Sequence, residues 1–209
     1  MYPISYEADY ARERNRLTTG FRLILAIPWI IVAYVYELAA TVVAIIAWFA
    51  LVILGRYPDW AYEFNAGALR YFVRFYAWAF LQTDQFPPFG IGPDPTYPVR
   101  LQVAPRAEKQ SRLKALFRII LVIPLIFVQY AINVIHLGAA FVAWLTIVFR
   151  GYQPAGVHNA LAFANGWHAR AFGYMLLLRD EYPPVGDEPV QVGDIRASGQ
   201  PAMGGSAAS

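Results

Sequence analysis

Slid over itself by 96 positions, the chain matches without a gap from residue 16 to residue 89, and 24 of the 74 aligned positions are identical. Arg16-Leu17 falls on Arg112-Leu113, Phe21-Arg22 on Phe117-Arg118, and Ile27-Pro28 on Ile123-Pro124. Further along, Trp48 meets Trp144, Gly55 meets Gly151, Arg74 meets Arg170, and Asp84 meets Asp180. A gapless register of this length is a duplication. Its period is too long for a solenoid unit and fits a repeated domain. Whatever one unit folds into, the other must fold into as well. Tyr2-Pro3-Ile4 also echoes Tyr97-Pro98-Val99, at an offset one residue shorter.

Each unit reads in the same order. A basic, polar lead-in comes first, then a long apolar run, a Gly-x-x-Pro turn, and a second, more amphipathic helical stretch. The close is Asp-x-aromatic-Pro-Pro, where the proline pair stops the helix because Pro lacks the amide donor and the residue before it avoids the helical region. Residues 29–54 and 125–149 each exceed the roughly 20 apolar residues that cross a hydrocarbon core. Glu37 is the one charge in the first run, while Asn133 and His136 are the polar intruders in the second. The second stretches, residues 59–82 and 155–178, admit two readings. In the first unit Glu63, Arg70 and Arg74 form a polar stripe. That stripe could face a bundle inside the bilayer, or the helix could lie in the interface.

Charge placement favours four spans. If both stretches cross, one side carries twelve arginines and lysines and the other only Arg56 and Arg150. A single crossing per unit divides the basic residues about evenly, so only the four-span layout obeys the positive-inside rule. The expected fold is therefore all-α and integral to the membrane, a tandem repeat of a helical hairpin in one orientation. Two spans plus two interfacial helices is the alternative. The units run over residues 1–96 and 97–185. A Gly-, Ala- and Ser-rich tail, residues 186–209, is expected to be disordered and cytoplasmic. Both termini are expected on the cytoplasmic side of the inner membrane. The first residues do not make a secretory signal, because acidic residues precede an apolar run that is too long.

Composition narrows the function classes. At 58% hydrophobic and 15% charged, the chain is far from an ordinary soluble domain. With no cysteine, thiol catalysis and thiolate metal sites are excluded. The net charge of +3 reflects membrane-edge arginines, not a nucleic-acid surface.

The set R-L-x-x-x-F-R-x-x-L-x-I-P (residues 16–28), G-x-x-P (55–58) and D-x-[FY]-P-P (84–88), followed by Tyr97-Pro98-Val99, resembles a bacterial membrane-protein family known as a domain of unknown function. The resemblance covers both units. The second departs at Gln153, where the first has Tyr57, and at Val185, where the first has Phe89. It implies membrane location and duplication. It brings no activity, substrate or catalytic residue.

The candidate residues follow from the membrane setting. A carboxylate at mid-span is costly unless paired, so Glu37 is expected to pair with Arg70 or Arg74. Arg22 and Arg118, one turn into the apolar stretch, are expected to snorkel to lipid phosphates, joined by Arg16 and Arg112. His158 and His168 are ten residues apart and do not share a helical face, so a metal or haem site would need His136 from the preceding helix. Asp84 and Asp180 are expected to shape turns. No nucleophile elbow, phosphate loop or zincin helix is present in the sequence. The sequence points to a non-enzymatic scaffold or accessory subunit, without metal or cofactor, contacting membrane lipids and a protein partner or a second copy. The alternative is a small oligomeric transporter or channel-like protein with a site near Glu37 and Arg70 or Arg74.

Overall fold

The computed structural model describes residues 2–185 and 191–194. The first unit runs β1 (Ile4–Tyr10), α1 (Arg16–Gly20), α2 (Arg22–Leu25), α3 (Ile27–Leu54) and α4 (Asp59–Ala79). The second runs β2 (Val99–Val103), α5 (Arg112–Leu116), α6 (Arg118–Arg150) and α7 (Ala155–Met175), and β3 (Gln191–Asp194) follows. The chain is mostly helical, but the expected all-α class is corrected by a three-stranded sheet in the order β2-β1-β3. Of the tail, only β3 is described; the rest of the expectation for residues 186–209 lies outside the described residues.

The repeat motifs set the helix ends. Gly55 and Gly151 adopt φ values of 73° and 77°, and each amide closes its helix on the carbonyl four residues back, Leu51 and Ile147. A residue without Cβ takes this left-handed position at no steric cost. Pro58 and Pro154 then stand at the N-caps of α4 and α7. Asn15 and Ser111 cap α1 and α5 through side-chain oxygens, satisfying amides the helix leaves open. Pro28 sits at the start of α3, behind the break at Ala26 that sets off α2. Pro124 lies within a continuous α6, so the two copies differ here.

Strand directions reveal how the units relate. β1 and β2 are antiparallel, with Ile4 opposite Val103 and Ala8 opposite Val99. β1 runs antiparallel to α7. A Cβ added to Gly173 would strike the Ile4 side chain, Tyr6 packs on Gly166, and the Tyr10 ring meets His158 edge-on at 5.2 Å. β2 likewise runs antiparallel to α4, from Tyr97 beside the Arg74 carbonyl to Ala104, whose carbonyl accepts from the Tyr62 hydroxyl at 2.6 Å. Hence α4 and α7 are antiparallel. α3 doubles back along α4, with Trp29 against Trp78 and Tyr36 against Tyr71, so α3 and α6 are antiparallel too. The expectation of two hairpins in one orientation is therefore corrected. The copies are related by a two-fold perpendicular to the helices, as the antiparallel ribbon requires.

The units also interlock. β1 packs on α7 of the second unit and β2 on α4 of the first; α1 packs on α6 and α5 on α3. The core sits between ribbon and helices, where Ile4, Tyr6, Ala8 and Val99 meet Leu69, Ala66 and Ala162. α4 and α7 are the buried elements. α3 and α6 flank them, and they are the two helices long and apolar enough to cross a membrane. Large apolar side chains along both remain exposed, among them Leu38 at 60% in α3 and Ile119 at 73% in α6, and Leu23 in the preceding α2 is 87% exposed.

Candidate functional site

Three clusters hold the residues singled out in the sequence. The first joins the repeat motifs. Arg22 is 4% exposed and donates to the Trp78 carbonyl at 2.5 Å, the Thr83 carbonyl at 3.0 Å and Asp84 Oδ1 at 2.8 Å. Asp84 Oδ2 accepts from the Asn15 amide at 2.8 Å, so one carboxylate ties the helix entrance to the loop after α4. The second unit repeats this. Arg118 donates to the Arg179 carbonyl and to Asp180, and Asp180 accepts from the Ser111 amide at 2.7 Å. The guanidiniums stack on Trp78 and Tyr174. Arg22 and Arg118 are thus turned inward and paired, not snorkelling to phosphates as expected, because a buried guanidinium finds its acceptors in the loop that the Pro-Pro stop presents. Arg16 and Arg112 are exposed, and each guanidinium lies over the turn glycine of the other unit, Gly151 and Gly55.

The second cluster is a trough of about 750 Å³ walled by α3 and α6 and floored by α4 and α7. Glu37 is in it, among Ala40, Thr41, Ala44, Phe72 and Tyr76. The expected pairing of Glu37 with Arg70 or Arg74 is not among the ion pairs of the described residues. Arg74 instead donates to the Gly90 carbonyl at 2.7 Å and to the Arg70 carbonyl at 3.3 Å. Glu37 neighbours Tyr76, whose phenol is raised above its ordinary value first by burial and then by that carboxylate. The reason is rotational: Phe72 and Tyr76 share the face of α4 that fronts the trough, whereas Arg74 is turned towards β2 and the loop at Gly90.

The third cluster is a cavity of about 310 Å³ lined by Asn133, His136, Asn165, His168, Gln129 and Tyr76. His136 and His168 meet with ring centroids 5.3 Å apart, and Phe80 stacks on His136 at 4.1 Å. His168 Nδ1 lies 2.6 Å from the Ala164 carbonyl. Groups of three or more His, Cys, Asp or Glu able to hold a metal are absent among the described residues. His158 is elsewhere, buried against Tyr10, and burial followed by the Arg14 charge pushes it down to about 4.

Sequence reading missed a polar seam between the units. Tyr6 donates to Gln82 Oε1 at 2.5 Å, and Asn165 donates to the same oxygen. Arg14 donates to the Gln82 carbonyl and to Gln153 Oε1. It also missed Arg100 bridging Asp9 and Glu7 on the outer face of the ribbon. The alternation in ISYEADY and VRLQV was the available signal.

A family model described as a domain of unknown function, DUF4389, matches residues 16–90 and again 112–186. The chain belongs to the DUF4389 family. The two matched segments coincide with the tandem copies, and both contain the Arg22–Asp84 or Arg118–Asp180 lock. In this chain the repeated arginine and aspartate of each matched segment therefore fasten the helix entrance to the loop. No curated protein and no solved structure matches the chain.

Proposed function

We propose that this DUF4389 protein is a non-enzymatic membrane scaffold or accessory subunit, attached to the cytoplasmic membrane of a bacterial cell. One observation carries the reading. α3 and α6 keep large apolar side chains exposed along their whole length, while the ribbon on α4 and α7 presents Ser5, Glu7, Asp9, Arg100 and Gln102. Each large apolar side chain gains about 1.5–3 kcal/mol on leaving water, and a contiguous face of them marks a membrane or protein contact. The packing of α4 and α7 under the ribbon supports two apolar helices over four spans. Native purification followed by mass spectrometry tests the scaffold role. A stoichiometric membrane partner or a homo-oligomer is expected, and a strictly monomeric, partner-free protein would contradict it.

The trough favours a second reading, a small oligomeric transporter or channel-like unit with its site at Glu37. That reading requires Glu37→Gln to change proteoliposome flux, and unaltered flux removes it.

A further inference from the structure

Long apolar helices are ordinarily taken to cross the bilayer, but the chain path here is incompatible with that. Every long element lies along one direction. α3 and α6 run antiparallel, α4 and α7 pack along them, and β1 and β2 run alongside the middle of α7 and α4 over about 23 and 17 Å. If α3 and α6 crossed the hydrocarbon, the ribbon would sit at the same depth. It carries Glu7, Asp9 and Arg100, and among the described residues β2 is an outer strand of the sheet. Open sheet edges do not occur facing lipid, and intramembrane charges are strongly disfavoured.

The two ends of the helix pair are also alike. At one end Arg12, Arg16 and Arg150 are exposed; at the other, Arg56, Lys109, Arg112 and Lys114. Beside these cations lie exposed Leu17, Phe21 and Leu23 at the first end, and Leu113, Leu116 and Phe117 at the second. Basic residues next to apolar ones are the pattern of helices lying in an anionic interface. A crossing protein would show a strong bias between its ends, and among the described residues this one has three exposed cations at one end and four at the other. Finally, the trough and the ribbon meet different faces of α7. At 100° per residue, Met175 lies about 170° around α7 from Gly166 and Gly173, which the ribbon covers, and Phe172 about 110°.

We infer that α3 and α6 lie in the plane of one anionic lipid leaflet, both ends at the headgroups, with the trough turned to the acyl chains and the ribbon to water. The protein is then monotopic. The two-fold stands along the membrane normal, and the exposed cations at the two ends form two collars that hold the apolar face against the surface. This rests on the membrane reading above and goes further by naming the partner, a single leaflet with anionic headgroups.

The chain has no cysteine, so single cysteines report side without background. Gly20→Cys marks one end, Glu108→Cys the other, and Gln102→Cys the ribbon; all three positions are exposed. Each full-length variant is reconstituted into vesicles of phosphatidylcholine and phosphatidylglycerol and treated with a membrane-impermeant maleimide. The expected result is that, within any one vesicle preparation, all three label to the same extent, and detergent adds the same increment to each. Gly20→Cys and Glu108→Cys labelling from opposite sides would overturn the in-plane arrangement while leaving the membrane reading intact. Vesicle flotation separates the other failure. If the protein does not float with lipid and remains a soluble dimer, both readings fall. Flotation that falls at least tenfold when phosphatidylglycerol is omitted, or when Arg16 and Arg112 are both changed to Gln, is expected of the collars. Flotation indifferent to both would overturn the anionic-headgroup assignment.

Discussion

At the scale of single residues, the repeat-invariant positions turn out to be fasteners. Arg22 and Asp84 form a pair with one partner fully buried, and removing one partner of such a pair leaves an uncompensated charge. Arg22→Ala should therefore lower stability by about 3 kcal/mol in chemical unfolding, and the double variant Arg22→Ala, Asp84→Ala should cost less than the sum of the two single changes. Strict additivity would show the pair to be incidental. His158 gives a pH signature. Its ordinary value is near 6.5, and in the fold it is pushed down to about 4. Between those two values the unfolded chain binds a proton that the folded chain does not. Stability is thus full above pH 6.5 and is lost as pH falls towards 4, by about 3 kcal/mol for this one group. His168 is lowered by burial and adds in the same direction. Thermal melts in detergent should show this acid slope, and His158→Phe should flatten it; an unchanged slope would assign the effect to other groups.

At the scale of elements, helices and turns were legible and strands were not. The apolar runs, the Gly-x-x-Pro turns and the Pro-Pro stops each carry a local cause, so α3, α4, α6 and α7 could be read from the chain. β1 and β2 could not, although their alternation was visible, because each is short and finds its partner about 95 residues away. Local pattern states a preference; pairing over that distance is decided by tertiary packing. The site was legible in the same uneven way. The meeting of His136 with His168 follows from hairpin geometry, whereas the partner of Glu37 depended on the rotation of α4, which no spacing rule supplied. The same packing yields a test. Gly173 leaves room for Ile4, so Gly173→Val should destabilise by about 1–3 kcal/mol through overpacking. Pairing it with Ile4→Ala should recover part of that loss. No recovery in the double variant would mean that β1 does not bear on α7 as described.

At the scale of the whole molecule, the duplication and the proposed membrane setting combine into one geometry. Two copies of a hairpin, exchanged at their strands and turned antiparallel, bury α4 and α7 and leave one apolar face of α3 and of α6 exposed. Counting basic residues favoured four spans, and both layouts that it compared had α3 and α6 crossing. The ribbon argues against that premise, since it runs beside the middle of the helix pair bearing Glu7, Asp9 and Arg100. The most direct measurement is the depth of α3 in a lipid bilayer. Ile31, Leu38 and Ile45 are seven residues apart, share an exposed face and span about 21 Å of helix axis. Spin labels at these three positions, read by power saturation with oxygen and a water-soluble nickel chelate, should report one common depth. A profile in which Leu38 lies about 10 Å deeper than both neighbours would mean that α3 crosses the membrane.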